Sequence, residues 1–171
     1  DLDAMAAAVT ERTRLLFIAN PNNPTGTWVK QAELVRLLKR LPAHVMVVLD
    51  EAYAEYIDQP DYPNGMALGL EFPNLIVMRT FSKAYGLAGL RCGWALADKR
   101  LCEEIRRARD LVDGTGSVLA ERTAAIAFDR LPELAARAAE NGITFIGPPA
   151  KALEMAGNKV TAKHYAIAAG V

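Results

Sequence analysis

Two cysteines in 171 residues, Cys92 and Cys102, are too few for a disulfide framework and stand at no metal-ligand spacing. A disulfide-stapled secreted scaffold is excluded, no metal site is expected, and the expected compartment is a reducing one, the cytoplasm. Neither sign of charge is in excess, since twenty basic and twenty acidic residues cancel. That balance removes the electrostatic case for nucleic acid or an anionic membrane as partner. Long apolar runs are also missing. Stretches such as Val45 to Leu49 fall far short of the roughly 20 residues that a membrane-spanning helix needs. No charged-then-apolar leader opens the chain, and it begins with Asp1 rather than methionine, so the natural N-terminus is expected upstream.

What is present is ordinary material for a folded domain: 51% hydrophobic and 23% charged residues, with no repeat or low-complexity segment. Residues 1–12 read as a short alanine-rich helix that Asp1 or Asp3 can cap. Leu15-Leu-Phe-Ile-Ala19 is a short apolar run stopped by turn residues, which predicts a strand buried on both faces. Lys30 to Leu41 carries Leu34, Val35, Leu37, Leu38 and Leu41 at helical spacing and ends at Pro42. Val45–Leu49 is a second buried strand, and residues 56–73 are an irregular connection with room for a short helix. Asn74–Met78 is a third strand and Cys92–Ala97 a fourth. Asp98–Val112 is a charged helix, Ser117–Arg130 another, and Leu131-Pro132 is expected to start one more. The order predicts an α/β domain with a largely parallel sheet flanked by helices. In such sheets ligands bind at the edge where the strand C-termini gather.

Three polar clusters follow three of these strands. Asn20-Pro-Asn-Asn-Pro-Thr-Gly26 is either a plain turn or a set of amides and hydroxyls projecting from the sheet edge. Asp50, at the end of an apolar strand, is either a helix cap or a functional carboxylate. The third cluster holds Lys83 with Thr80, Ser82, Gly86, Gly89 and Arg91, and is either a solvated surface turn or a site for a phosphate-bearing carbonyl compound. In the second case the amine condenses with the carbonyl, while hydroxyls and guanidinium hold the phosphate.

The blocks Asn-Pro-Asn-Asn-Pro-Thr-Gly at 20–26, Val-Leu-Asp-Glu-Ala-Tyr at 48–53 and Arg-Thr-Phe-Ser-Lys-Ala-Tyr-Gly-Leu-Ala-Gly-Leu-Arg-Cys-Gly at 79–93 stand in family order and spacing. Through them, residues 1 to about 135 resemble a fold-type-I, class I/II aminotransferase dependent on pyridoxal 5'-phosphate, with the nearest look to histidinol-phosphate aminotransferase. The resemblance implies a partial large domain over residues 1–139. It also implies amino-acid and oxo-acid substrates, a place in amino-acid biosynthesis, and a homodimer for the intact enzyme. Lys83 would carry the cofactor and shuttle a proton. Asp50 would pair with the pyridine nitrogen, and Asn23 and Tyr53 would hydrogen-bond the phenolic oxygen. Thr80, Ser82 and Arg91 would bind the phosphate. The segment 110–117 does not look like a typical histidinol-phosphate enzyme. In the family, further chain before Asp1 completes the phosphate cup, and a small domain supplies the arginine that holds the substrate carboxylate.

Residues 140–171 resemble a different protein, the stretch of biotin carboxylase that leads into its nucleotide-binding fold. Lys159 matches a lysine that contacts ATP there, and Asn158 replaces the usual aspartate. Thirty-two residues bury too little surface to fold alone, so this segment is not expected to be an independent domain. Three functional expectations result: an aminotransferase fragment, a silent cofactor-binding or regulatory module, and an inactive hybrid of two gene pieces.

Overall fold

The computed structural model of the chain describes residues 1–112, 114 and 116–140, and these divide into two units. The first unit holds Asp1–Thr80 and the described residues from Gly93 to 114. Its frame is a four-stranded sheet of β1 (Leu15–Ala19), β2 (Met46–Asp50), β3 (Leu75–Thr80) and β4 (Gly93–Leu96), in that order. The first three strands run parallel and β4 runs antiparallel to β3, so the expected mostly parallel α/β sheet is observed. Three parallel neighbours deliver three C-terminal ends to one edge.

One sheet face is covered by α1 (Leu2–Ala7), α2 (Gln31–Arg40) and α3 (Gly65–Glu71). Leu16 and Ile18 of β1, Val47 and Leu49 of β2, and Leu75 and Val77 of β3 form the sheet side of a core. They meet Leu34, Leu37 and Leu38 of α2 and Leu68 of α3. Burial of each such side chain is worth about 1.5–3 kcal/mol before entropy is charged. The helices start where the sequence places polar caps. The Asp1 carboxylate accepts from the amides of Asp3 and Ala4 at 3.0 Å. Asn64 accepts from Ala67 N at 3.1 Å, and Glu33 takes the Lys30 amide at 2.8 Å.

Two expectations need correction. β1 is buried on one face, not both: Leu15 is 53% and Phe17 66% exposed, while Leu16 and Ile18 are buried. Side chains alternate along a strand, and α1 to α3 cover one side of this sheet only. The second correction concerns the expected break at Leu131-Pro132. A single helix, α5 (Val118–Glu140), runs through it. An internal proline removes one amide donor, which weakens a helix without always ending it.

α4 (Lys99–Val112) follows β4 in the first unit and has no buried residue, so its predicted apolar face is not covered. The second unit comprises Phe81–Cys92 and 116–140 among the described residues. Here Phe81, Tyr85 and the α5 residue Phe128 form an aromatic cluster. Phe81 and Tyr85 centroids lie 4.8 Å apart, and Tyr85 stacks on Phe128 at 6.3 Å. No helix among the described residues is long and apolar enough to cross a membrane. The biotin-carboxylase-like reading of 140–171 falls, after Glu140, outside the described residues.

Candidate functional site

The edge formed by the ends of β1, β2 and β3 carries four of the expected site residues. The β1 exit runs through Asn20 to Gly26, with Asn22 O accepting from Gly26 N at 2.8 Å to close the turn. Gly26 takes a positive φ of 69°, a conformation costly for other residues. This fold presents Asn23 to the surface, where its Nδ2 donates to the Tyr53 hydroxyl at 3.1 Å. Two residues thirty positions apart are thereby joined. Beside them lies an open cavity of about 320 Å³ whose lining includes Pro21, Pro24, Tyr53, Tyr56 and Ile57.

Asp50 is the last residue of β2 and is exposed. It caps no α-helix. Its Oδ1 accepts from Ala52 N at 3.0 Å, which fixes the carboxylate at the start of the following turn. In register Asp50 pairs with Ala19 on one side and Met78 on the other. Thr80 ends β3 two residues beyond Met78 and so lies on the same sheet face as Asp50. On that face, opposite α1 to α3, Asp50 and Met78 are exposed while Val48 is buried.

Lys83, Ser82 and Arg91 belong to the second unit. There the segment 81–92 closes on itself: Phe81 N donates to Cys92 O at 3.1 Å and Leu87 N to Phe81 O at 2.9 Å. Gly86 N donates to Lys83 O at 2.8 Å, making a tight turn that Gly86 completes with a φ of 67°. Lys83 is exposed on this turn and Ser82 half-buried. Arg91 adopts the left-handed conformation at φ 50°, and its Nη1 donates to Ala88 O at 3.0 Å.

Sequence reasoning missed the charges on the covered face. Glu51, next to Asp50, is fully buried, and its Oε2 accepts from Arg79 Nη2 at 2.7 Å and Nε at 2.9 Å. Arg79 Nη1 also reaches Glu55 Oε1 at 3.4 Å, and the guanidinium lies 5.8 Å from the Trp94 ring centre. Burial pushes Glu51 above the usual carboxylate range, and Arg79 only partly offsets it. Glu55 is raised for the same reason. Burial opposes the Arg79 charge, but the two carboxylates outweigh it and hold that group above its ordinary value. Strand alternation was the available signal: if Asp50 faces out, Glu51 must face in. Recognising its partner required the β2–β3 register.

The match to known proteins covers the same segments. The family model for aminotransferase class I and II matches residues 1–141. An aromatic amino acid aminotransferase of Streptomyces avermitilis is 60% identical over 107 residues, which are 63% of this chain and 30% of that protein. A histidinol-phosphate aminotransferase of Nitrosococcus oceani is 50% identical over 126 residues, 74% of this chain and 34% of that protein. Among solved structures, histidinol-phosphate aminotransferase from Sinorhizobium meliloti in complex with pyridoxal-5'-phosphate superposes with a TM-score of 0.67 at 37% identity. It is matched over 78% of this chain and 37% of its own. The chain thus spans about a third of the length of these relatives. With most of its residues inside the family match, a sheet that superposes on a solved relative and the three motif blocks at the strand ends, the chain belongs to the class I and II aminotransferases, as part of their large domain.

Proposed function

We propose that this chain supplies part of a pyridoxal 5'-phosphate site of an enzyme that transfers an amino group between an amino acid and a 2-oxo acid or related carbonyl. The observation that carries the reading is the Asn23–Tyr53 pair beside an open cavity, on the sheet edge where Asp50 and Thr80 end their strands. These groups fit the cofactor. Asn23 and Tyr53 offer an amide and a hydroxyl donor for its phenolic oxygen. Asp50 offers an exposed carboxylate able to hold a proton on the pyridine nitrogen. Thr80, Ser82 and Arg91 would hold the phosphate by charge-assisted hydrogen bonds. Lys83 would bind the cofactor covalently through its amine and move the proton at the substrate Cα. When bound, the cofactor supplies an electron sink for the charge that develops at that carbon.

The substrate is an amino acid of the kind that aromatic or histidinol-phosphate aminotransferases handle. Both groups of relatives match at similar identity, which supports the class without choosing within it. Homodimer formation by the intact enzyme and a cytoplasmic setting belong to the same reading, supported by the family and by the scarcity of cysteine. So does the division into residues 1–139 and a biotin-carboxylase-like 140–171. The aminotransferase match ends at residue 141, which supports a boundary there. Removing 142–171 should then leave cofactor binding unchanged.

The test is to add pyridoxal phosphate, reduce with borohydride and map the modified peptide. An adduct on Lys83 together with conversion of an amino acid to its oxo acid supports the enzyme. An adduct with no conversion favours a silent binding module, and no adduct at Lys83 overturns the site.

A further inference from the structure

Glu51 has no part in the cofactor chemistry above, yet it is as deeply buried as the central leucines of the core. A carboxylate in that position is costly unless its partners compensate. Its main compensation comes from Arg79 on the next strand, through two hydrogen bonds to one oxygen. The fit is close on the other side as well. A Cβ added at Gly65, the first residue of α3, would lie 2.3 Å from Glu51 Oε1, so only glycine leaves room for the carboxylate.

The location matters more than the pairing. Glu51 directly follows Asp50, and Arg79 directly precedes Thr80. The backbone confirms the adjacency, because Glu51 N donates to Met78 O at 2.9 Å. Strand alternation then sorts the four side chains, with Asp50 and Thr80 on the open face and Glu51 and Arg79 on the covered one. A bond between the covered pair fixes the spacing and direction in which the open pair leaves the sheet. Arg79 is itself held from a third side by Glu55 and from a fourth by Trp94, its register partner on β4.

We propose that the Glu51–Arg79 pair is a positioning device for the cofactor rim, setting the relative placement of Asp50 and Thr80 from the opposite face of the sheet. The inference rests on the cofactor reading for its consequence, but its structural content is independent of it. Neither residue touches the ligand; both act through their chain neighbours.

Glu51→Gln keeps the shape and removes the charge, Arg79→Lys keeps the charge and loses the fork, and Gly65→Ala presses on the carboxylate without altering either partner. Amide hydrogen exchange and pyridoxal phosphate affinity are measured on each folded chain. In Glu51→Gln and Gly65→Ala, exchange of the amides at 50–52 and 78–80 should quicken at least tenfold while α2 core amides stay unchanged. Affinity should fall at least tenfold, with Arg79→Lys recovering part of it relative to Arg79→Met. Uniform quickening across the sheet and α2, or no local change, overturns the proposal in favour of a plain stability role. Unaltered affinity in a variant whose local exchange has quickened overturns it too. If the unmodified chain takes up no pyridoxal phosphate, the cofactor reading fails, and the exchange pattern alone decides whether the pair positions the rim.

Discussion

The two faces of the sheet use the same strands for opposite purposes. On the covered face Leu49, Glu51, Val77 and Arg79 are enclosed by α1 to α3 and the turn after β2. Arg79 ties Glu51 Oε2 and Glu55 together, while Glu51 Oε1 is buried without a hydrogen-bond partner among the described residues. On the opposite face Phe17, Asp50 and Met78 are exposed, and Asp50 and Met78 are register partners. Asp50 and Glu51 are consecutive carboxylates separated by one peptide bond and by the thickness of the sheet. In the proposed reading the first meets the cofactor and the second holds the frame. Position within an alternating strand, not residue type, assigns the roles.

The sharpest way to break this contrast is to unpair the covered charges. Arg79→Met should destabilise the chain by about 3–5 kcal/mol, because it strands Glu51 as an uncompensated buried charge. Denaturant unfolding measures this, and a loss below about 1 kcal/mol would contradict the buried pairing. Core truncation comes next. Leu49→Ala is expected to cost about 2–5 kcal/mol, whereas Phe17→Ala on the open face should stay within about 0.5 kcal/mol. Equal costs would mean that both faces are covered in solution.

A smaller effect separates the faces by pH. Burial raises Glu51 and Glu55 above the ordinary carboxylate value of 4.5, with Arg79 as the neighbouring cation and Tyr62 as the nearby phenol. The folded chain therefore binds protons at a pH where the unfolded chain has released them. Stability from these groups is full below 4.5 and is lost as pH rises through their raised folded values. Glu55→Gln should consequently gain on the unsubstituted chain as pH climbs from about 4.5 toward neutrality, in paired unfolding titrations. A difference that moves the other way would show that Arg79 dominates over burial.

Much of the fold was legible because each element announces itself locally. Apolar runs such as Leu15–Ala19 and Val45–Leu49 are the right length for strands, and Asp1 and Pro42 mark helix ends. What local reading cannot supply is what covers a face. Leu15 and Phe17 look like core residues, and only their exposure in the folded chain shows otherwise. Pro132 likewise looked like a start and proved internal to α5. The site was legible to the extent that its residues sit in contiguous motif blocks. Asn23 and Tyr53 were named from two such blocks, and the hydrogen bond between them is found. Glu51 and Arg79 lay inside the same blocks but passed unnoticed, since their pairing depends on a strand register that no single block contains.

The central claim is that the open face ends in a cofactor rim while the covered face only supports it. Asp50→Asn tests it most directly, as the smallest change to the fold with the largest change to the rim. Titrating pyridoxal phosphate into the original chain and the variant, alongside an unfolding curve for each, gives both halves of the answer. The account predicts an affinity at least tenfold weaker with stability altered by no more than about 0.5 kcal/mol. Equal affinity in the two chains, or no binding by either, would contradict it.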